Sequence, residues 1–77
     1  MMLSNIELDK KVIIQDVSNL SLMIQRRLLD MGIDEGVIIS VKRKLPFGGP
    51  FIIEAHGQSI SLRCLEASRI YVSLGEV

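Results

Sequence analysis

Two side chains of this 77-residue chain suit a soft metal ion, His56 and Cys64. Imidazole nitrogen and thiolate sulfur bind zinc, iron and related ions, but a closed site takes about three or four donors. Only one histidine and one cysteine are present. The carboxylates Glu54 and Glu66 would have to complete a site through the fold or across an oligomer. The expected roles are therefore a hairpin-tip histidine and a half-buried cysteine, with no resident cofactor and His56 and Cys64 as weak metal candidates. Lys42, Arg43 and Lys44 form a run that could meet phosphate, on nucleic acid or a membrane surface. Asp34 and Glu35 are adjacent carboxylates, which in a turn splay into water. No Ser/His/Asp set and no phosphate-binding glycine loop occurs, so no catalysis is expected.

The chemistry best represented is contact with another protein. Leu45-Pro46-Phe47-Gly48-Gly49-Pro50 sets a leucine and a phenylalanine among two prolines and two glycines. The prolines limit the entropy lost on ordering, and Leu45 and Phe47 offer an apolar anchor. The competing expectation is a rigid connection whose apolar groups fold back onto the domain. Arg26 and Arg27 could grip an acidic partner at the rim, or could simply face solvent and complement a helix dipole.

Composition narrows the classes. The hydrophobic fraction is 48%, mostly aliphatic, with no tryptophan, one tyrosine and two phenylalanines. That suits one small β-rich or α+β domain with a modest core. Nine basic residues balance nine acidic ones. Binding nucleic acid through counterion release normally needs net positive charge, so nucleic acid is not the expected ligand. A single cysteine excludes an internal disulfide and suits a reducing compartment. The first residues show no signal-peptide pattern, and no apolar run nears the roughly 20 residues that span a bilayer. A cytosolic protein is expected. Four methionines and an aliphatic surface keep homo-oligomerisation open.

The elements follow from periodicity. Residues 11–17 read as a first strand, with Val12 and Ile14 on one face. Ser18 and Asn19 suit an N-cap for a helix running to about Met31, whose stripe is Leu20, Ile24, Leu28 and Met31. Asp30 opposes the dipole in its last turn, and Gly32 suits the left-handed stop. Asp34-Glu35-Gly36 is a turn, and residues 37–44 form a second strand. There, alternation points Arg43 the same way as Val41, at the rim. Residues 51–55 and 58–62 form strands joined at His56-Gly57, which suits a two-residue hairpin. Residues 63–68 make one helical turn before a last strand marked by Ile70, Val72 and Leu74. Residues 1–10 form an N-terminal extension, with Ile6 and Leu8 packing over an end of the core. The expectation is a single domain over 1–77, mainly β, a small five-stranded barrel whose closure removes exposed edges.

The stretch RRLLDMGIDEGVIISVKRKLPFGGPFIIEAHGQSISLR resembles the ferrous iron transport protein A (FeoA) family. The match rests on Arg26, Arg27, Leu28, Met31, Gly32, Gly36, Pro46, Gly48, Gly49, Pro50, Gly57, Leu62 and Arg63, and then on Glu66, Ala67 and Ile70. Each piece is common alone, and the ordered set is specific. His56 and Gln58 depart from the basic or aromatic residues usual beside the hairpin glycine. The resemblance implies an SH3-like barrel and a small accessory of bacterial ferrous iron uptake. It also implies a partner, the permease FeoB with its cytosolic GTP-binding domain. Related modules are fused to metal-dependent repressors, but this chain has no helix-turn-helix. Alternative readings are a metal-binding sensor or iron carrier, a nucleic-acid-binding barrel, and a separate domain that contacts a repressor.

Overall fold

A computed structural model describes residues 1–74. After a 3-10 turn at Leu3–Asn5 come five strands and two short helices, in the order β1 (Lys11–Asp16), α1 (Leu22–Asp30), β2 (Ile38–Lys44), β3 (Phe51–Ala55), β4 (Gln58–Leu62), α2 (Cys64–Ala67) and β5 (Tyr71–Leu74). The strands form one antiparallel sheet in the order β4-β3-β2-β1-β5. This is the expected architecture of five strands, a helix after the first and a helical turn before the last.

The core is the period-2 pattern made solid. Val12 and Ile14, Ile39 and Val41, Phe51, Ile53 and Ala55, Ile60 and Leu62, and Val72 are all buried, joined by Ile70 just before β5. Each full burial of a large aliphatic group contributes about 1.5–3 kcal/mol, so these positions fix the register. Leu20, just before α1, and Leu28 within it are buried, while Ile24 and the C-cap Met31 pack against the core only in part.

The helix begins later than Ser18 or Asn19 would start it. Ser21 is the N-cap, and its side chain accepts a hydrogen bond from the Ile24 amide at 3.3 Å. Asp16 is the reason, because its carboxylate holds the Ser18 amide at 2.8 Å. The Leu20 amide then donates to the Val17 carbonyl, so a turn occupies the expected cap. The C-terminus is as expected. Gly32 has φ +80°, its amide bonds to the Leu29 carbonyl, and the Ile33 amide bonds to the Leu28 carbonyl. That pair of bonds is the Schellman stop, with Ile33 and Leu28 both buried as its apolar contact.

Two features depart from a plain reading of the chain. First, residues 1–3 are not a patternless extension. The Leu3 amide donates to the Ile70 carbonyl, the Val72 amide donates to the Met1 carbonyl, and Met2 pairs with Tyr71. The N-terminus therefore covers the outer edge of β5, and Leu3 and Ile6 enter the core, whereas Leu8 stays half exposed. Second, the β2–β3 register shifts between Val41 and Arg43. This bulge cancels simple alternation, so Val41 is buried while Lys42, Arg43 and Lys44 are all exposed.

Candidate functional site

The β2–β3 connection is a small rigid knob. Its base is closed by the Leu45 amide donating to the Pro50 carbonyl at 3.1 Å, and its tip by the Gly49 amide donating to the Pro46 carbonyl at 3.1 Å. Both central residues of the tip turn have positive φ, +59° at Phe47 and +73° at Gly48, the arrangement of a type I′ turn. Gly49 is required by close approach. A Cβ there would lie 2.9 Å from the Leu45 Cβ and 3.1 Å from the Pro46 carbonyl oxygen. Leu45 and Pro50 tuck partly inward. Phe47 does not, being 103% exposed, with its whole ring in water.

A phenylalanine at positive φ is uncommon, because the side chain crowds the following peptide. His56 provides a comparison within the chain. The β3–β4 hairpin also has two positive-φ residues, His56 at +54° and Gly57 at +75°. There the imidazole Nε2 sits 3.0 Å from the Gly32 carbonyl oxygen, and the ring fastens the hairpin to the end of α1. Among the described residues, the fully exposed Phe47 ring makes no such compensating contact.

Beside the knob runs an open depression of about 490 Å³, lined by Gly48, Pro50, Ser61, Arg63, Cys64 and Leu65. Arg26 and Arg27 differ in circumstance. Arg27 Nη2 donates to both carboxylate oxygens of Glu66, at 3.0 and 3.1 Å, tying α1 to α2. Glu66 is 8% exposed and also accepts from the Arg63 amide at 3.0 Å, which caps α2. Arg26 lies on the open surface of α1 and has no ion pair among the described residues.

The basic run on β2 is largely engaged. Lys42 Nζ lies 3.1 Å from Asp9 and 3.9 Å from Glu54. Lys44 Nζ donates to the Ser4 carbonyl at 3.3 Å and lies 5.5 Å from the centre of the Phe51 ring. His56 and Cys64 lie beyond opposite ends of β4. The four steps from Gln58 to Leu62 alone span about 13 Å at strand rise, so the two side chains do not share a site. Glu66 is held by Arg27, and Glu54 faces Lys42. Among the described residues, no group of three or more histidine, cysteine or carboxylate side chains is placed to hold a metal.

A family model, the FeoA domain, matches residues 1–74. The chain belongs to the FeoA family. Solved FeoA structures share its fold. The FeoA protein of Chlorobium tepidum is 28% identical with a TM-score of 0.91, over 99% of this chain and 71% of that one. A FeoA-like protein of Clostridium acetobutylicum is 31% identical with a TM-score of 0.81, over 100% and 88%. Stenotrophomonas maltophilia FeoA, crystallised with zinc and described as a prokaryotic SH3 domain protein, is 29% identical with a TM-score of 0.79, over 95% and 89%. No curated protein matched.

FeoA membership makes this an accessory protein of ferrous iron transport, built on an SH3-like fold. No helix among the described residues is long and apolar enough to cross a membrane. Sequence reading missed several exposed apolar side chains of this FeoA domain, the most open being Met23 and Leu22 on α1 and Leu65 on α2. The signal for the first two was present, since both fall outside the stripe of Leu20, Ile24, Leu28 and Met31.

Proposed function

We propose that this FeoA protein is a cytosolic, non-catalytic adaptor that docks the tip of its β2–β3 loop onto the GTP-binding region of the ferrous iron permease FeoB, and so modulates transport or transporter assembly. The carrying observation is Phe47, which is fully exposed and sits on left-handed backbone inside a loop closed by two hydrogen bonds. Strain that offsets nothing within the fold points outward, to a bound partner. The groove beside the loop gives that partner somewhere to seat next to the ring. Arg26, which takes part in no ion pair among the described residues, is the rim charge of this reading, and Arg27 adds what its bond to Glu66 leaves available. Engagement of Lys42 and Lys44 within the domain argues against a phosphate-binding face.

The test is calorimetric titration into the purified cytosolic domain of the same organism's permease, with and without a GTP analogue. Saturable binding that Phe47→Ala abolishes supports the reading. Binding unaffected by Phe47→Ala, or no binding in either nucleotide state, refutes the proposed face.

A further inference from the structure

The basic residues of this chain are sorted by type. Four of its five arginines, Arg26, Arg27, Arg63 and Arg69, lie on or next to α1 and α2. Its four lysines, Lys10, Lys11, Lys42 and Lys44, precede or occupy β1 and β2. Three of the open depressions on the helical side are linked through shared or paired residues. Leu65 lines both the first and the second. The Arg27–Glu66 pair joins the second to the third, which is lined by Leu22, Met23, Arg26, Arg27 and one carboxylate, Asp30. None of the lysines lines any of the three.

Along this band the apolar side chains are unusually open. Leu22 is 78% exposed, Met23 79% and Leu65 71%. Arg26, Arg63 and Arg69, around them, take part in no ion pair among the described residues.

We propose that the α1–α2 face binds a partner-protein segment whose apolar side chains are flanked by carboxylates. The apolar centre and the arginine rim each specify half of that ligand. Covering a leucine or methionine gains hydrophobic free energy, and the guanidinium fork matches a carboxylate in two-point contact. The sorting of arginine from lysine separates this occupant from an anionic lipid surface. Lysine and arginine serve equally at charged membranes, whereas protein interfaces enrich arginine and methionine and deplete lysine. The proposal does not rest on the Phe47 ring or on the identity of the permease, although Gly48 and Pro50 of that loop border the first depression.

The probe is a fluorescein-labelled helical peptide with leucines at helical spacing flanked by glutamates. Its control is the same peptide with lysine in place of each glutamate. Fluorescence anisotropy reads affinity, and amide chemical shifts map the contact. The glutamate peptide should bind, shift the Met23 and Leu65 signals, and lose roughly tenfold in affinity with Met23→Ser or Leu65→Ser. Both positions are mostly exposed, so unchanged thermal melts are expected and verify that the variants fold. Arg26→Glu should weaken the glutamate peptide and favour the lysine peptide. Equal binding of the two peptides, binding that these variants do not alter, or no binding overturns the proposal. So does sedimentation with phosphatidylglycerol vesicles that the same variants abolish, which would assign the face to lipid. Because this test uses neither the permease nor Phe47→Ala, it fails or succeeds separately from the titration above.

Discussion

Replacing Phe47 separates strain from packing. The ring is fully exposed, so its removal forfeits no buried area. Its backbone sits at φ +59°, where an L-residue pays about 1–2 kcal/mol relative to glycine. Phe47→Gly relieves that strain but gives the unfolded chain extra freedom, a loss of roughly 0.5–1 kcal/mol. The balance is a gain of about 0.5–1 kcal/mol. For a domain of this size that raises Tm by about 3–6 °C. Phe47→Ala keeps the Cβ and the strain, and should fall within about 0.5 kcal/mol of wild type, as exposed substitutions do.

The hairpin supplies the control. His56→Gly relieves a similar φ, +54°, but deletes the bond to the Gly32 carbonyl, so no comparable gain is expected. Urea and thermal unfolding of the three variants measure all of this. A Phe47→Ala variant that loses more than about 1 kcal/mol would show that the ring packs on the domain. A Phe47→Gly variant less stable than Phe47→Ala would show that the loop stores no relievable strain. Either result removes the physical basis for treating Phe47 as an anchor held out for a partner.

Gly49→Ala should destabilise by about 1–3 kcal/mol in urea unfolding, because the new methyl meets the Leu45 Cβ and the Pro46 carbonyl inside normal contact distance. Glu66→Ala should cost more than Arg27→Ala. Removing the carboxylate strands the Arg63 amide as well as Arg27, and hydrogen bonds to charged groups contribute about 1.5–3 kcal/mol; equal losses in thermal melts would mean the α2 cap contributes nothing. Ser21→Ala should lose about 1 kcal/mol of stability, while Ser18→Ala and Asn19→Ala should be near neutral, which chemical denaturation can rank. The Ser18 backbone amide and then its hydroxyl lower the Asp16 pKa. A depressed folded-state pKa stabilises above the ordinary carboxylate value, and that stability disappears as pH falls through the folded value. The stability difference between wild type and Asp16→Asn should therefore be largest near neutral pH and shrink in acid; a difference independent of pH would refute the assignment.

Much of the fold was written in short-range patterns. Strand alternation identified Val12, Ile14, Ile39, Val41, Ile53, Ile60 and Leu62 because burial on one face of a sheet repeats every second residue. The Gly32 stop and the His56-Gly57 hairpin were legible because positive φ restricts residue choice. The misplaced helix start has a local cause. Ser18, Asn19 and Ser21 are all chemically fit to cap, and only the Asp16–Ser18 bond decides among them. Arg27 could not be assigned from sequence, since its partner Glu66 is 39 residues away. The β5 edge cover was invisible for another reason. It is made of backbone bonds from residues 1–3, which leave no side-chain signature. The shift at Val41–Arg43 carries no glycine or proline to announce it. As for the candidate site, the loop's position and closure followed from its prolines and glycines, but the outward ring of Phe47 and the inward tuck of Leu45 depend on packing that neighbouring residues alone do not encode.

Zero net charge also hid an asymmetry that bears on function. Lys42-Arg43-Lys44 was the most conspicuous basic run in the sequence, yet the fold sets Lys42 against Asp9 and Glu54 and Lys44 against the Ser4 carbonyl. A phosphate ligand there would have to displace those contacts. Four of the five arginines, at 26, 27, 63 and 69, lie on or next to α1 and α2, which the Arg27–Glu66 pair ties together. One carboxylate thereby caps α2, holds Arg27 and ties the two helices together. Loss of Glu66 should then lower affinity for any ligand of the helical face as well as stability, whereas loss of Phe47 should touch binding at the loop alone. The two surfaces share Arg26 and the groove lined by Arg63 and Leu65, so Phe47→Ala is the substitution that separates the loop from the helical face.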